Sequence, residues 1–230
     1  MELKLFLTAG GNPSLLVWDC PKVLKKQIIN KYLGKEAEQI GFVTNGKIPK
    51  LEMMGNELCI NSTLALVSYL GKEGELLVSG VNGKIKYKNS ANKTSILLPL
   101  KLIQNDNIVL FEGIGFICEE SKKPTNKERL SALAKKYNLP AFGLIIYNGN
   151  ESTPLVYVRE TNSLTAETAC GSGSIALNIV TGFKNIIQPS GGIIAVTKKG
   201  NKFRVEAKVE EIKLEGGVKN YERKYSGYSK

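Results

Sequence analysis

Cys59-Ile60-Asn61-Ser62-Thr63-Leu64-Ala65-Leu66 and Cys170-Gly171-Ser172-Gly173-Ser174-Ile175-Ala176-Leu177 align without a gap, 111 positions apart. The same offset sets Ser79-Gly80 on Ser190-Gly191. An internal repeat governs any fold assignment. Upstream of the repeat, Pro21 opens an amphipathic stretch (Val23, Leu24, Ile28, Tyr32) that leads to an apolar run, Ile40 to Val43. Pro124 opens a similar stretch (Leu130, Leu133, Ala134, Tyr137) that leads to Phe142 to Tyr147. Proline suits a helix start, where its missing N–H would have had no partner.

Further strand signals are period-two or short apolar runs closed by Gly and Asn: Leu76 to Val78, Ile85 to Tyr87, Ser95 to Leu98, Ile193 to Val196 and Phe203 to Val209. The expected fold class is α+β. Two pseudo-symmetric halves, residues 1–108 and 109–230, each wrap mixed β-strands around one central helix that begins at a cysteine.

The chain has 230 residues, 42% of them apolar, which is enough to bury a core. No 18 apolar residues follow one another and Met1 to Phe6 does not look like a leader, so a soluble cytoplasmic protein away from membranes is expected. Cys20, Cys59, Cys118 and Cys170 show neither CxxC pairing nor regular spacing, so no metal site is expected and the thiols are read as reduced. The net charge of +11 is spread along the chain, and only Lys219 to Lys230, with Tyr221, Tyr225 and Tyr228, concentrates basic and aromatic residues. That tail reads as a solvated terminus, not as a nucleic-acid site. The charge as a whole suits an anionic small molecule.

Histidine is absent altogether. Acid/base chemistry near neutral pH therefore falls to Cys, carboxylates, Lys or Tyr. Thr168-Ala169-Cys170-Gly171-Ser172-Gly173-Ser174 is small and glycine-rich and runs straight into the apolar stretch Ile175 to Val180, which puts Cys170 at a helix N-terminus. There the helix dipole is expected to lower a thiol from about 8.5 toward neutrality, and free backbone N–H groups can dock a carboxylate. Cys59 holds the matching position, with Asn61 and Ser62 in the first turn. A two-fold repeat brings the two helix starts face to face. Inverting a stereocentre needs a base on one face of the carbon and an acid on the other, and two thiols supply that pair.

At these residues the chain resembles the diaminopimelate epimerase-like superfamily of cofactor-independent racemases and epimerases, over nearly its whole length. Ala169-Cys170-Gly171-Ser172-Gly173 is similar to the family's second catalytic motif. Gly11-Asn12 is similar to its N-terminal Gly-Asn, Glu38-Gln39 to its acidic-Gln pair, and Gln188-Pro189-Ser190-Gly191-Gly192 to its closing turn. Glu52 to Cys59 and Tyr157 to Ser163 resemble the histidine racemases, including those that feed opine metallophore synthesis. The resemblance implies a diaminopimelate epimerase-like fold, an amino-acid substrate, no pyridoxal phosphate or other cofactor, and a homodimer. It implies Cys59, Cys170 and Glu38 as catalytic residues, and Asn12, Gln39, Asn61, Ser62, Glu167, Gly171 and Ser172 as substrate-binding ones.

One position departs from the pattern. The family's first motif reads Cys-Gly-Asn, where the glycine lets the substrate carboxylate approach the backbone, and Ile60 is bulkier and stiffer. Altered activity or substrate choice is the expected consequence. Placing Met54-Gly55-Asn56 on that motif would leave the first site without a thiol, and the in-register repeat selects Cys59 instead. Two alternatives stay open at this level: a single-base isomerase on the same fold, and a non-catalytic amino-acid-binding homologue.

Overall fold

The structure, a computed structural model, describes residues 1–90, 93–120 and 127–214. Pro124 and the basic tail from Lys219 to Lys230 lie outside the described residues. The first part of the chain runs β1 (Glu2–Thr8), β2 (Gly11–Trp18), α1 (Lys22–Tyr32), β3 (Gln39–Thr44), β4 (Lys50–Met53), α2 (Ile60–Tyr69), β5 (Glu73–Val78), β6 (Lys84–Ser90) and β7 (Lys93–Pro99). It continues with β8 (Leu102–Asn105), β9 (Ile108–Phe111), β10 (Gly115–Glu119), α3 (Lys127–Lys136), β11 (Ala141–Asn148), β12 (Glu151–Val158) and β13 (Ser163–Ala166). The last elements are α4 (Gly171–Thr181), β14 (Asn185–Ile187), β15 (Ile193–Lys199), β16 (Lys202–Ala207) and β17 (Val209–Ile212).

Strand pairing follows one order twice. Through the crossover α1, β2 lies parallel to β3; β3 pairs antiparallel with β4, β4 parallel with β5, and β5, β6 and β7 form a meander. Through α3, β10 lies parallel to β11; β11 pairs antiparallel with β12, β12 parallel with β14, and β14, β15 and β16 form a meander. A parallel neighbour needs such a crossover, whereas antiparallel strands turn back directly. β1 flanks β2 as β9 flanks β10, and β17 flanks β1 as β8 flanks β9. The parts are stitched together where β7 pairs with β16, Leu97 opposite Arg204. The whole is a mixed α/β fold with one large mixed sheet and few helices.

Residue chemistry sets where each element sits. Gln39 to Val43 of β3 are buried on both faces, as strands beside a parallel neighbour usually are. In β16 Phe203, Val205 and Ala207 point inward while Arg204 and Glu206 alternate outward. α2 is buried from Ile60 to Val67 and α4 from Gly171 to Leu177, so both are core helices without a polar face along those turns. α2 packs against β1, β2, β3, β6, β7 and β17, α4 against β9, β10, β11, β15 and β16, and the two helices touch each other. Truncating Leu64 or Ile175, both wholly buried, to Ala would cost about 2–5 kcal/mol.

The run Phe203 to Val209 is not one strand. The chain leaves its pairing with β7 and β15 at Ala207 and takes up pairing with β1 at Val209, while the Lys208 carbonyl between them accepts from the Ala9 N–H at 2.8 Å. Period-two patterning persists across such a change of partner, which is why the break is invisible in the sequence. α4 ends at Gly182, whose φ of 80° suits a glycine C-cap. α2 ends differently: the Asn89 amide donates to the Val67, Leu70 and Gly71 carbonyls at 2.5, 3.1 and 3.1 Å.

Among the described residues no helix is long and apolar enough to cross a membrane.

Candidate active site

Cys59 and Cys170 are the N-cap residues of α2 and α4, both with extended backbone. Cys59 Sγ accepts from the Ser62 N–H at 3.4 Å, and Cys170 Sγ from the Gly173 N–H at 3.3 Å. The turn behind each thiol is closed the same way: Thr63 Oγ1 donates to the Cys59 carbonyl and Ser174 Oγ to the Cys170 carbonyl, each at 2.7 Å. A sulfur atom serves here as the cap that Ser, Thr or Asp usually provides.

The two helix starts are tied to each other. Asn61 Nδ2 donates to the Ala169 carbonyl at 2.7 Å and Asn61 Oδ1 accepts from the Gly171 N–H at 2.8 Å. Ser172 Oγ, 111 positions on, donates to the Leu58 carbonyl at 3.3 Å and accepts from the Ile60 N–H at 3.4 Å. Each bridge thus reaches the residues on either side of the opposite cysteine. Helix starts leave N–H donors without intrahelical acceptors. The bridges and the thiols use those of Ile60, Ser62, Gly171 and Gly173, and among the described residues no acceptor is bonded to the Asn61 and Ser172 N–H groups.

Ile60 is wholly buried and seated against Gly171: a Cβ on Gly171 would stand 2.5 Å from Ile60 Cγ2 and 2.9 Å from Asn61 Oδ1. The bulk that departs from the family pattern fills space that its repeat partner leaves vacant.

Between the caps lies a cavity of about 10 Å³, lined by both cysteines together with Gln39, Glu57, Asn61, Ile114, Val156, Val158, Glu167 and Ser172, among others. That volume suits about one water. Gln39 Nε2 donates to Glu167 Oε1, and the Cys170 thiol and the same carboxyl influence each other's ionisation. Burial pushes Glu167 up to about 8, against the lowering effect of those neighbours, and Glu57 up to about 7. Burial also drives Cys59 up to about 12 and Cys170 well above the thiol range, with the Glu167 charge adding to both. The expected lowering of the thiols by the helix dipole is therefore overturned in the closed site: desolvation of a thiolate outweighs the Ser62 N–H and hydroxyl at Cys59 and the Gly173 N–H at Cys170.

The expected site residues separate into two layers. Cys59, Cys170, Gln39, Asn61, Glu167, Gly171 and Ser172 line the cavity. Glu38, Asn12 and Ser62 stand behind it. Glu38 accepts from the Thr168 N–H at 3.1 Å, the Thr168 hydroxyl at 3.0 Å and Asn12 Nδ2 at 3.4 Å. Asn12, with φ of 46°, presents its own N–H to Thr168 Oγ1 at 2.6 Å, and Ser62 Oγ meets Ser14 Oγ at 3.3 Å. Two further residues belong to the site and were not singled out individually in the sequence. Glu57 lines the cavity, and Gln188 accepts from the Cys170 N–H at 2.8 Å while donating to Ser174 Oγ and the Ile186 carbonyl. Gln188 had a signal, its place in the closing turn. Glu57 had none, because carboxylates are seldom fully buried. Among the described residues no cluster of three His, Cys, Asp or Glu side chains is arranged to hold a metal ion.

The chain is similar in sequence and in fold to known proteins. Residues 105–221 match the family described as histidine racemase CntK N-terminal domain. A histidine racemase from Fusobacterium nucleatum subsp. nucleatum is 28% identical over 256 aligned positions, covering 92% of this chain and 95% of that protein. In fold, the chain is similar to a Pseudomonas aeruginosa protein described as a predicted epimerase, with a TM-score of 0.63 at 8% identity over 92% of this chain and 96% of that one. It is also similar to a PhzF-family phenazine biosynthesis protein of Bacillus anthracis, with a TM-score of 0.56 at 15% identity over 93% and 98% of the two chains. Fold and sequence kinship together define the class: an isomerase that racemises or epimerises an amino acid. Within that class, the chain belongs to the histidine racemase family, and the matching region carries Cys170 and its glycine-rich turn.

Proposed function

We propose that the protein racemises histidine by transferring a proton at each face of the α-carbon, one through Cys59 and one through Cys170, without a cofactor. The observation that carries this is the reciprocal bridging of the two helix starts, which holds two N-cap thiols on one cavity.

The chain is read as a duplicated, diaminopimelate epimerase-like pair of halves. The halves are residues 1–108 and 109–230, with β17 of the second paired onto β1 of the first. The substrate α-carboxylate sits on the Asn61 and Ser172 N–H groups, as anions do at helix starts. Its ammonium faces Glu167 and Gln39. Ionised Glu167 takes the proton of the Cys170 thiol, and the Gly173 N–H stabilises the negative charge left on sulfur. The Cys170 thiolate then removes the α-proton, the electron pair passes into the carboxylate, and the Cys59 thiol returns a proton to the opposite face. Cys170 ends as thiol and Cys59 as thiolate; Glu167, adjacent to both, hands on the proton that resets them. The reverse direction exchanges the roles of the two sulfurs.

Glu38 and Gln188 act as positioning residues in this scheme. Glu38 anchors Thr168, and Gln188 anchors the Cys170 backbone, so that the sulfur keeps its direction. Histidine exceeds the space in the closed cavity, so binding widens it and closure afterwards excludes water, which strengthens the electrostatics at the carbanion. The reducing cytoplasm expected from the sequence keeps both thiols available.

Chiral chromatography after incubation with L-histidine or with D-histidine tests the activity. The expected result is approach to an equal mixture from both sides; no conversion of either enantiomer would overturn it.

A further inference from the structure

Two residues that line the cavity each carry a buried oxygen atom without a hydrogen-bond partner among the described residues: Gln39 Oε1 and Glu57 Oε1. Buried polar atoms are nearly always paired, so an orphan acceptor aimed into a cavity marks where a donor belongs. Gln39, bonded to Glu167 beside Cys170, stands where the α-ammonium arrives in the proposed reaction. Glu57 stands elsewhere. It is 2% exposed, and its second oxygen is held by the Gly55 N–H at 2.9 Å, so the carboxyl group cannot swing away without losing that bond. Gly55 packs in turn against Val158, since a Cβ there would strike Val158 Cγ1. Ile114, Val156 and Val158 form the adjoining apolar wall.

An apolar wall ending in one fixed carboxylate oxygen is complementary to a flat ring with an N–H on its edge. We infer that Glu57 determines substrate specificity by accepting a hydrogen bond from the side-chain N–H of the amino acid, with Ile114, Val156 and Val158 against the ring faces. The inference rests on the proposed racemase reaction for the placement of the α-carbon and names the side-chain subsite of that same cavity. A neutral ring of equal shape without the N–H leaves the Glu57 oxygen unpaired, and sites built around a hydrogen bond reject such analogues strongly.

The test compares histidine with 3-(2-thienyl)alanine, which has a five-membered aromatic ring and no side-chain donor. α-Deuterium incorporation in deuterated water gives kcat/KM for each, on the native protein and on Glu57→Leu and Glu57→Met. The native protein is expected to prefer histidine. Both variants are expected to lower the histidine-to-thienylalanine ratio by about 10- to 100-fold, mainly through KM. An unchanged ratio in a folded variant overturns the inference. If neither variant folds, the native protein decides alone: titration calorimetry showing equal affinity for the two ligands overturns it, and a clear preference for histidine supports it. If the native protein exchanges no α-proton, calorimetry separates the two ideas. Histidine binding that is lost in Glu57→Met keeps the Glu57 assignment and rejects the reaction; absence of histidine binding rejects the assignment.

Discussion

Gly171 exists to make room for Ile60. The two are repeat partners that meet where α2 and α4 begin, and a Cβ on Gly171 would lie 2.5 Å from Ile60 Cγ2 and 2.7 Å from Ile60 Cβ. Gly171→Ala is therefore expected to destabilise the protein by about 1–3 kcal/mol through overpacking. Ile60→Ala alone should cost about 2–5 kcal/mol as a cavity variant. The double variant should be more stable than the sum of the two losses allows, because each change relieves the other. Urea unfolding of all four proteins checks this, and simple additivity would contradict the contact.

Asn61 is the stronger of the two bridges. Its hydrogen bonds to the Ala169 carbonyl and the Gly171 N–H are 2.7 and 2.8 Å, against 3.3 and 3.4 Å for those of Ser172. Asn61→Ala leaves two buried backbone groups unpaired and should cost about 2–4 kcal/mol, with Ser172→Ala costing less. Equal losses in denaturant titration would show that the asymmetry of the bridges carries no energy.

How much of this was legible from residues alone depended on how local the cause was. The cap positions of Cys59 and Cys170 are written in a few neighbours, small residues followed by an apolar run, and both helices start where that pattern puts them. The bridges are not local: Asn61 reads as an ordinary first-turn polar residue until Ala169 and Gly171 are brought to it. Glu57 reads as a surface acid beside a cysteine. The direction of the thiol shifts is hidden for the same reason, since a helix start is visible in sequence and the burial that outweighs it is not. β8 carries little signal, because Leu102 to Asn105 is largely exposed, whereas β9 is an apolar run too short for periodicity alone to tell a strand from a helical turn.

The buried carboxyls make stability depend on pH. Glu57 and Glu167 rise from about 4.5 to about 7 and about 8 on folding, so the folded protein keeps protons that the unfolded chain has already released. Their contribution is intact below about pH 4.5 and is lost as pH rises toward 8, by about 1 kcal/mol per pH unit for each retained proton. Unfolding free energy should therefore fall between pH 5 and pH 8 for these groups, roughly and in that direction, and Glu57→Gln or Glu167→Gln should flatten the profile. A Glu167→Gln profile as steep as the native one would contradict the assignment.

The central claim is that both thiols move protons. Single-turnover α-deuterium incorporation into L-histidine and D-histidine, followed by NMR in deuterated water with the native protein, Cys59→Ser and Cys170→Ser, tests it most directly. Exchange with inversion is expected in the native protein and loss of inversion in both variants, with each variant impaired chiefly in abstraction from the enantiomer its missing thiol serves. Racemisation that survives either substitution would contradict it.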